Sequence, residues 1–314
     1  MIDKFLKTTL ILVIYLSSAS PDISAKTTYA FIKSKNFKQI DMVIKGFTES
    51  FPNASISILD MNGKKVENKV SGFIQKEKPS IIICMGSLAA RTAIKVEKKI
   101  PIIFSMVINY KKVSSYQQDN VTGISMEIPP TNLFTQFKML MPEVRTIGVP
   151  FHPAVSSEIV NDAYDILKEM GLQLIRIRVS NPINFASKLS KNAENCSGLW
   201  MLADTKLYNR KTKAIKELIK FSKRKKVPLL AFSEAFVKSG AFFSISINYK
   251  SLGSQITMIS KRLIQNRVLP ANIPIAPPIG TFTVINRDYM QLLIGDDFDE
   301  SIYDEVDKVY PEEN

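Results

Sequence analysis

Apolar residues recur along this chain in two alternating rhythms. Short runs in which almost every position is apolar or β-branched give way to longer segments whose apolar residues return every three or four positions. The first rhythm describes buried strands and the second amphipathic helices. Thr28 to Lys33 predicts a strand, and Lys38 to Phe51 a helix with Ile40, Val43, Ile44 and Phe47 on one stripe. Ser55 to Leu59, Ser80 to Met85 and Pro101 to Val107 predict three further strands, separated by helices ending near Lys76 and spanning Gly86 to Lys98. The unbroken run from Ile81 to Met85 suits a strand covered on both faces, as strands of parallel sheets are. A short strand, Asn120 to Ser125, and a helix, Asn132 to Met141, close this array at Pro142.

Beyond Pro142 the order restarts, with strands at Thr146 to Pro150, Gln173 to Val179, Gly198 to Ala203 and Pro228 to Phe232. Helices at Ser156 to Met170, Ile183 to Lys191, Lys211 to Lys223 and Glu234 to Lys238 follow them in turn. Two successive βα arrays predict an α/β protein of two lobes, each built on a parallel sheet. A late helix, Ser251 to Asn266, a proline-rich stretch, Pro270 to Pro278, and a last strand, Thr281 to Ile285, imply further crossings between the lobes. The expected division is residues 26–142 with 250–277 as the N-terminal lobe, 143–249 with 278–295 as the C-terminal lobe, and 296–314 as an acidic tail.

Length and composition agree with this division: 314 residues, 45% hydrophobic and 23% charged, can bury the cores of two ordinary domains. The first 25 residues differ from the rest. Lys4 and Lys7 precede an apolar run from Thr9 to Leu16, and small residues lead to Ala25, so residues 1–25 read as a secretory signal peptide cleaved after Ala25. A periplasmic location follows, and no Cys near the cleavage zone offers a lipid anchor. Cys84 and Cys196 fall in strands of different lobes and are expected to be buried free thiols. The net charge of +13 is spread along helix faces without a recognition motif, so no nucleic acid partner is expected. Lys220 to Lys226 reads as a solvated helix end.

In open parallel sheets, ligands sit beyond the carboxyl ends of the strands, where helix N-termini present unpaired N–H groups. The corresponding loops here carry Ser34 to Phe37, Gly86 with Ser87, and Asn109 with Tyr110 in the first lobe. In the second they carry Phe151 to Pro153, Asp204, and Ser233 with Glu234. Gly86 allows close backbone approach, and Ser87 opens a helix suited to a carboxylate, or is a plain helix cap. Asp204 is placed either to accept from an ammonium or hydroxyl or to cap a turn. Ser233 and Glu234 carry the same two possibilities. Phe37, Tyr110, Phe151 and Tyr208 are candidate aromatic walls. His152 is the single histidine, so a two-His metal site cannot form, and no GxGxxG or GxxxxGK[ST] fingerprint occurs. No cofactor, metal or catalytic constellation is therefore expected.

Several segments together resemble the extracytoplasmic ABC transporter substrate-binding proteins of the type that includes the tryptophan and tyrosine binders. They are SIIICMGSLAARTA, IPIIFSMV, NVTGISM, LMPEVRTIGV, LWMLADT and SGAFFSISINYKSLG, and they span nearly all of the chain after residue 25. The resemblance implies two Rossmann-like lobes of the periplasmic binding protein type 1 fold, with a ligand cleft at the interlobe hinge. It implies a monomer that hands a small-molecule ligand to an ABC permease in the inner membrane, or that signals through a membrane sensor kinase. Carried over by position, Ser87 resembles a carboxylate-contacting serine and Asp204 an acidic residue facing the ligand's polar head. Asn109-Tyr110 stands where relatives often carry Asp-Pro, and Asn248 where they carry Asp.

Overall fold

The computed structural model describes residues 27–108, 110–295 and 300–312. The expected signal peptide and Asn109 lie outside the described residues.

The first lobe is a five-stranded, all-parallel sheet. Its strands and helices alternate as β1 (Thr28–Lys33), α1 (Lys38–Ser50), β2 (Ser55–Asp60), α2 (Glu67–Glu77), β3 (Ile81–Met85), α3 (Ser87–Val96), β4 (Ile102–Val107) and β5 (Val121–Ser125). The strand order is β2-β1-β3-β4-β5. Because successive side chains point to opposite faces, Ala30, Ile32, Ile82, Cys84 and Phe104 pack under α2 and α3. Tyr29, Phe31, Ile81, Ile83 and Ile103 pack on the other side. That double covering is why the strands read as continuous apolar runs.

The second lobe begins earlier than Pro142. α4 (Pro130–Leu140) places Leu133, Phe134, Phe137 and Leu140 in the core of the second sheet. The lobe boundary is therefore at residues 126–129, and Pro142 only follows the end of a helix. The proline pair Pro129-Pro130 marks the change, since Pro fixes φ at a helix start and bars the preceding residue from helical backbone. The chain continues as β6 (Thr146–Phe151), α5 (Pro153–Glu169), β7 (Gln173–Arg178), α6 (Phe185–Asn192), β8 (Gly198–Trp200), α7 (Ala214–Lys225), β9 (Leu229–Ala231), α8 (Glu234–Lys238) and β10 (Phe243–Ile247).

α9 (Tyr249–Ile264) then returns to the first lobe, and β11 (Thr281–Asn286), α10 (Arg287–Ile294) and β12 (Lys308–Tyr310) complete the second. The seven-stranded order is β12-β11-β10-β9-β8-β6-β7. β10 with β11 is the one antiparallel pair among the described residues, so the second sheet is mixed where a parallel one was expected. The segment set apart as an acidic tail is also corrected: Lys308–Tyr310 pairs in parallel with β11. Asp307 supports it by accepting from the Thr283 N–H at 2.7 Å.

α9 fits on α1 only because two glycines face each other. A Cβ on Gly46 would lie 2.0 Å from the Lys250 carbonyl oxygen, and one on Gly253 would lie 2.1 Å from that of Val43. Backbone meets backbone there, and Ser50 Oγ bonds Ser254 Oγ at 2.8 Å alongside. Both cysteines are free and buried, one in each lobe. Burial pushes the Cys84 thiol far up and the Cys196 thiol up to about 11.

Candidate functional site

Three segments cross between the lobes: residues 126–129 after β5, Asn248 between β10 and α9, and residues 273–280 before β11. They are tied to each other and to both lobes. The Ser125 N–H donates to Ala276 O at 2.9 Å, and the Asn248 N–H to Gly280 O at 3.0 Å. Buried Gln255 donates through Nε2 to Pro277 O at 2.9 Å and accepts from the Ile279 N–H at 3.1 Å. Asn248 caps α9, its Oδ1 accepting from the N–H groups of Lys250 and Ser251 at 3.1 Å each. An Asn performs there the capping that an Asp would.

Against these crossings lies a cavity of about 540 Å³ with walls from both lobes. The crossings supply Met126, Glu127, Ile128 and Ile275, and Tyr249 stands beside the second at the start of α9. The first lobe adds Ile108, Tyr110 and Lys111, and the second adds Ser156, Ile159 and Asp162 of α5 with Trp200 and Met201 at the end of β8. Phe232, Ile245 and Ser246 complete it. The lining is mainly apolar and aromatic, with carboxylates at Glu127, Glu158 and Asp162 and one Lys, a composition suited to an organic molecule with a polar head. Tyr249 is half-buried, and burial raises its phenol pKa. Phe134 meets the Trp200 ring edge-on at 5.1 Å and holds it against the core.

Most of the residues anticipated as ligand contacts are elsewhere. Of the described ones, Tyr110 alone lines the cavity; its ring stands 5.8 Å from Phe104. Asp204 is corrected outright. It is 1% exposed, and its carboxylate accepts four hydrogen bonds from the chain itself. Oδ2 takes the His152 N–H and the Ser156 hydroxyl, each at 2.8 Å, and Oδ1 takes the N–H groups of Lys206 and Leu207 at 3.0 and 3.1 Å. These bonds stitch the end of β8 to the start of α5, and no lone pair is left for a ligand. His152 caps α5 by accepting from the Ala154 N–H at 3.2 Å.

The other anticipated residues have structural partners too. Ser34 Oγ accepts from the Ala89 N–H at 2.9 Å and so caps α3. Gly86, at φ 92°, is needed where it stands, because a Cβ there would lie 2.8 Å from the Ser34 hydroxyl. Ser87 is half-buried in the first turn of α3 and does not line the cavity. Phe37 is 52% exposed at the start of α1, and Phe151 is buried in the second lobe's core. Tyr208 is buried against Phe185, and burial together with the Asp204 carboxylate raises its phenol pKa well above 10. Ser233 caps α8 weakly, at 3.4 Å from the Ala235 N–H. Glu234 pairs with Lys238 at 3.0 Å and Lys308 at 3.4 Å, which lowers its carboxyl pKa.

The residues missed are those of the first crossing and of α5. One sequence signal did point to them: residues 126–129 follow the carboxyl end of β5, and Pro129-Pro130 breaks the βα order there.

Two α/β lobes joined by three crossings around a hinge cavity define a bilobal solute-binding protein of the periplasmic binding protein type 1 fold. Residues 27–309 match the family described as ABC transporter substrate binding protein, and the chain belongs to that family. A tyrosine-binding protein of Clostridioides difficile (strain R20291) is 22% identical over 239 residues, covering 74% of this chain and 68% of that one. The ligand-free, open structure of a substrate binding protein with adhesive properties from Clostridium difficile aligns at TM-score 0.73. The two share 18% identity over 90% of this chain and 99% of that one. An ABC domain in complex with L-Trp from Streptococcus pneumonia aligns at TM-score 0.58, with 19% identity over 90% and 99%.

Proposed function

We propose that this protein is exported and captures one aromatic or branched amino acid in the hinge cavity, handing it to an ABC permease. The supporting observation is that both lobes, the first and third crossings, and Ile247 and Tyr249 on either side of the second wall one cavity with aromatic and aliphatic side chains. Bilobal proteins of this kind close around their ligand, and a guest seated on the crossings completes the contact between the lobes. Trp200, Tyr110 and Met126 are assigned to the ligand's apolar side chain, and Glu127 to its ammonium group. The curated tyrosine binder and the tryptophan complex favour an aromatic side chain.

Ligand that binds only the folded state raises the unfolding midpoint. L-Tyr, L-Trp, L-Phe and L-Leu are expected to raise it in a panel of amino acids, and calorimetry with the best of them gives the affinity. Tyr110→Ala, with its fold checked by circular dichroism because the ring also packs beside Phe104, is expected to weaken that affinity about tenfold or more. A panel without any shift overturns the amino-acid assignment.

A further inference from the structure

The positive charge of this chain is concentrated, contrary to the even spread read along its sequence. Between Lys188 and Lys226, twelve of 39 residues are Lys or Arg, against Glu194, Asp204 and Glu217. That segment carries a net +9 where the whole chain carries +13. α6 and α7 pack side by side on one face of the second sheet, through Phe185, Leu189, Leu218 and Phe221. Their outer surfaces therefore form one strip. Lys213, Lys216, Lys220 and Arg224 follow each other at helical spacing along α7, with Lys188 and Lys191 beside them on α6, and all six are exposed. None of the six has an acidic partner among the described residues; the one ion pair on the strip is Lys225 with Glu194, at 3.5 Å.

The first lobe pairs some of its lysines. Glu67 holds Lys65 and Lys95, and Glu49 holds Lys45 and Lys250. The opposite face of the second sheet is acidic where residues 300–312 pack on it through Ile302, Tyr303 and Val306. The second lobe is thus polarised across its sheet. α5, which walls the cavity, lies on the acidic side, so a surface held against α6 and α7 leaves the cavity uncovered.

We propose that the α6–α7 strip is an electrostatic docking surface for an anionic lipid bilayer. Three features favour a bilayer over a specific protein partner. Ten of the twelve cations are Lys, a point charge on a flexible stem, and not the forked Arg that fixes a carboxylate in one geometry. The exposed positions of α6 and α7 carry no large apolar side chain, and Ile183, 88% exposed, stands just before α6. Its charges are spread along a helix of twelve residues, about 18 Å, which suits a diffuse layer of headgroups. A membrane transporter's binding protein works beside such a surface, and weak, screened attraction keeps it there without fixing its orientation about the cleft.

The test is flotation of the full chain with vesicles of phosphatidylglycerol and phosphatidylcholine, against vesicles of phosphatidylcholine alone. The neutral vesicles report what the apolar N-terminal segment contributes, so the strip is read from the difference. Wild type is expected to bind the anionic vesicles and to be released as salt rises from 50 to 300 mM, values chosen to span the Debye length of about 8 Å at physiological salt. Lys216→Glu/Lys220→Glu/Arg224→Glu is expected to lose at least about 30-fold in partition. The charge-matched control Lys64→Glu/Lys69→Glu/Lys99→Glu in the first lobe is expected to lose less than about threefold. Circular dichroism confirms that both variants fold. Equal losses in the two variants, no anionic preference in the wild type, or loss of binding to immobilised polyglutamate with vesicle binding unchanged would each overturn the proposal.

Discussion

The polar residues at the strand ends and the residues of the three crossings follow the same topological rule, yet they have opposite fates. Both sets sit beyond the carboxyl ends of parallel strands. At the strand ends the side chains turn back on the chain: Ser34 onto α3, Asp204 onto α5, Glu234 onto α8 and β12. At the crossings the backbone is held by hydrogen bonds from elsewhere, and side chains such as Met126, Glu127 and Ile275 are left for the cavity. A polar residue next to a helix start has a local donor to satisfy before any ligand arrives, and in this fold the local donor takes it.

The largest effect tests the strand-end half of that contrast. Asp204→Ala leaves the N–H groups of His152, Lys206 and Leu207 and the Ser156 hydroxyl without their buried acceptor. Bonds to a buried charge are the costly ones to break, so urea unfolding is expected to show a loss on the order of 4 kcal/mol. If ligand affinity collapsed at unchanged stability, Asp204 would be a ligand contact and the contrast would fail.

The next effect tests the crossing half. α9 emerges from the second crossing, and its seat on α1 fixes where that crossing lies. Gly253→Ala puts a Cβ 2.1 Å from the Val43 carbonyl oxygen and 2.5 Å from the Phe47 nitrogen. Backbone cannot yield as a side chain can, so a loss of roughly 2–3 kcal/mol is expected, together with weaker ligand binding as the crossing shifts. Retained stability in a urea melt would show that the helices slide apart at little cost.

This contrast also accounts for what the sequence could and could not reveal. Most strands of both lobes were legible because double covering makes them nearly uniform in apolar residues, as Ile81 to Met85 shows; β10 was not read as a strand, because Ser244 and Ser246 interrupt its apolar residues. The return of α9 to the first lobe was legible from its place after a second full βα array. The direction of β11 was not, because an antiparallel strand buried on both faces has the same composition as a parallel one. β12 was hidden by its charge: Lys308 and Asp307 look solvated until Glu234 and Thr283 are seen beside them. The site residues failed for a different reason. Residue type at a strand end names a hydrogen-bonding capacity, while the partner that uses it is set by distances of 2.8 or 2.9 Å between elements far apart in sequence.

Ser34→Ala separates capping from ligand contact in the first lobe. The Ala89 N–H loses its acceptor, and a loss of about 1 kcal/mol in urea unfolding is expected. Ligand affinity by calorimetry is expected to stay within about twofold, since Ser34 is outside the cavity lining. A tenfold loss of affinity would restore Ser34 to the binding surface.

The smallest effect concerns Glu234, and its sign is fixed by its pKa. Lys238, and after it Lys308, lowers the carboxyl below its ordinary value of 4.5 in the folded chain. The stabilisation is therefore fully present above the unfolded value and is lost as pH falls through the lower folded one. The three side chains are partly exposed, so solvent screens the cluster and its worth is below about 1 kcal/mol. Glu234→Gln is expected to lower stability by that amount at pH 7 and to make the decline between pH 5 and 3 shallower than in the wild type. The same variant should bind ligand normally at pH 7, because its carboxylate ties β12 to α8 and not to the cavity. An unchanged acid limb with impaired binding would instead place Glu234 among the groups that meet the ligand, and the division between strand ends and crossings would have to be redrawn.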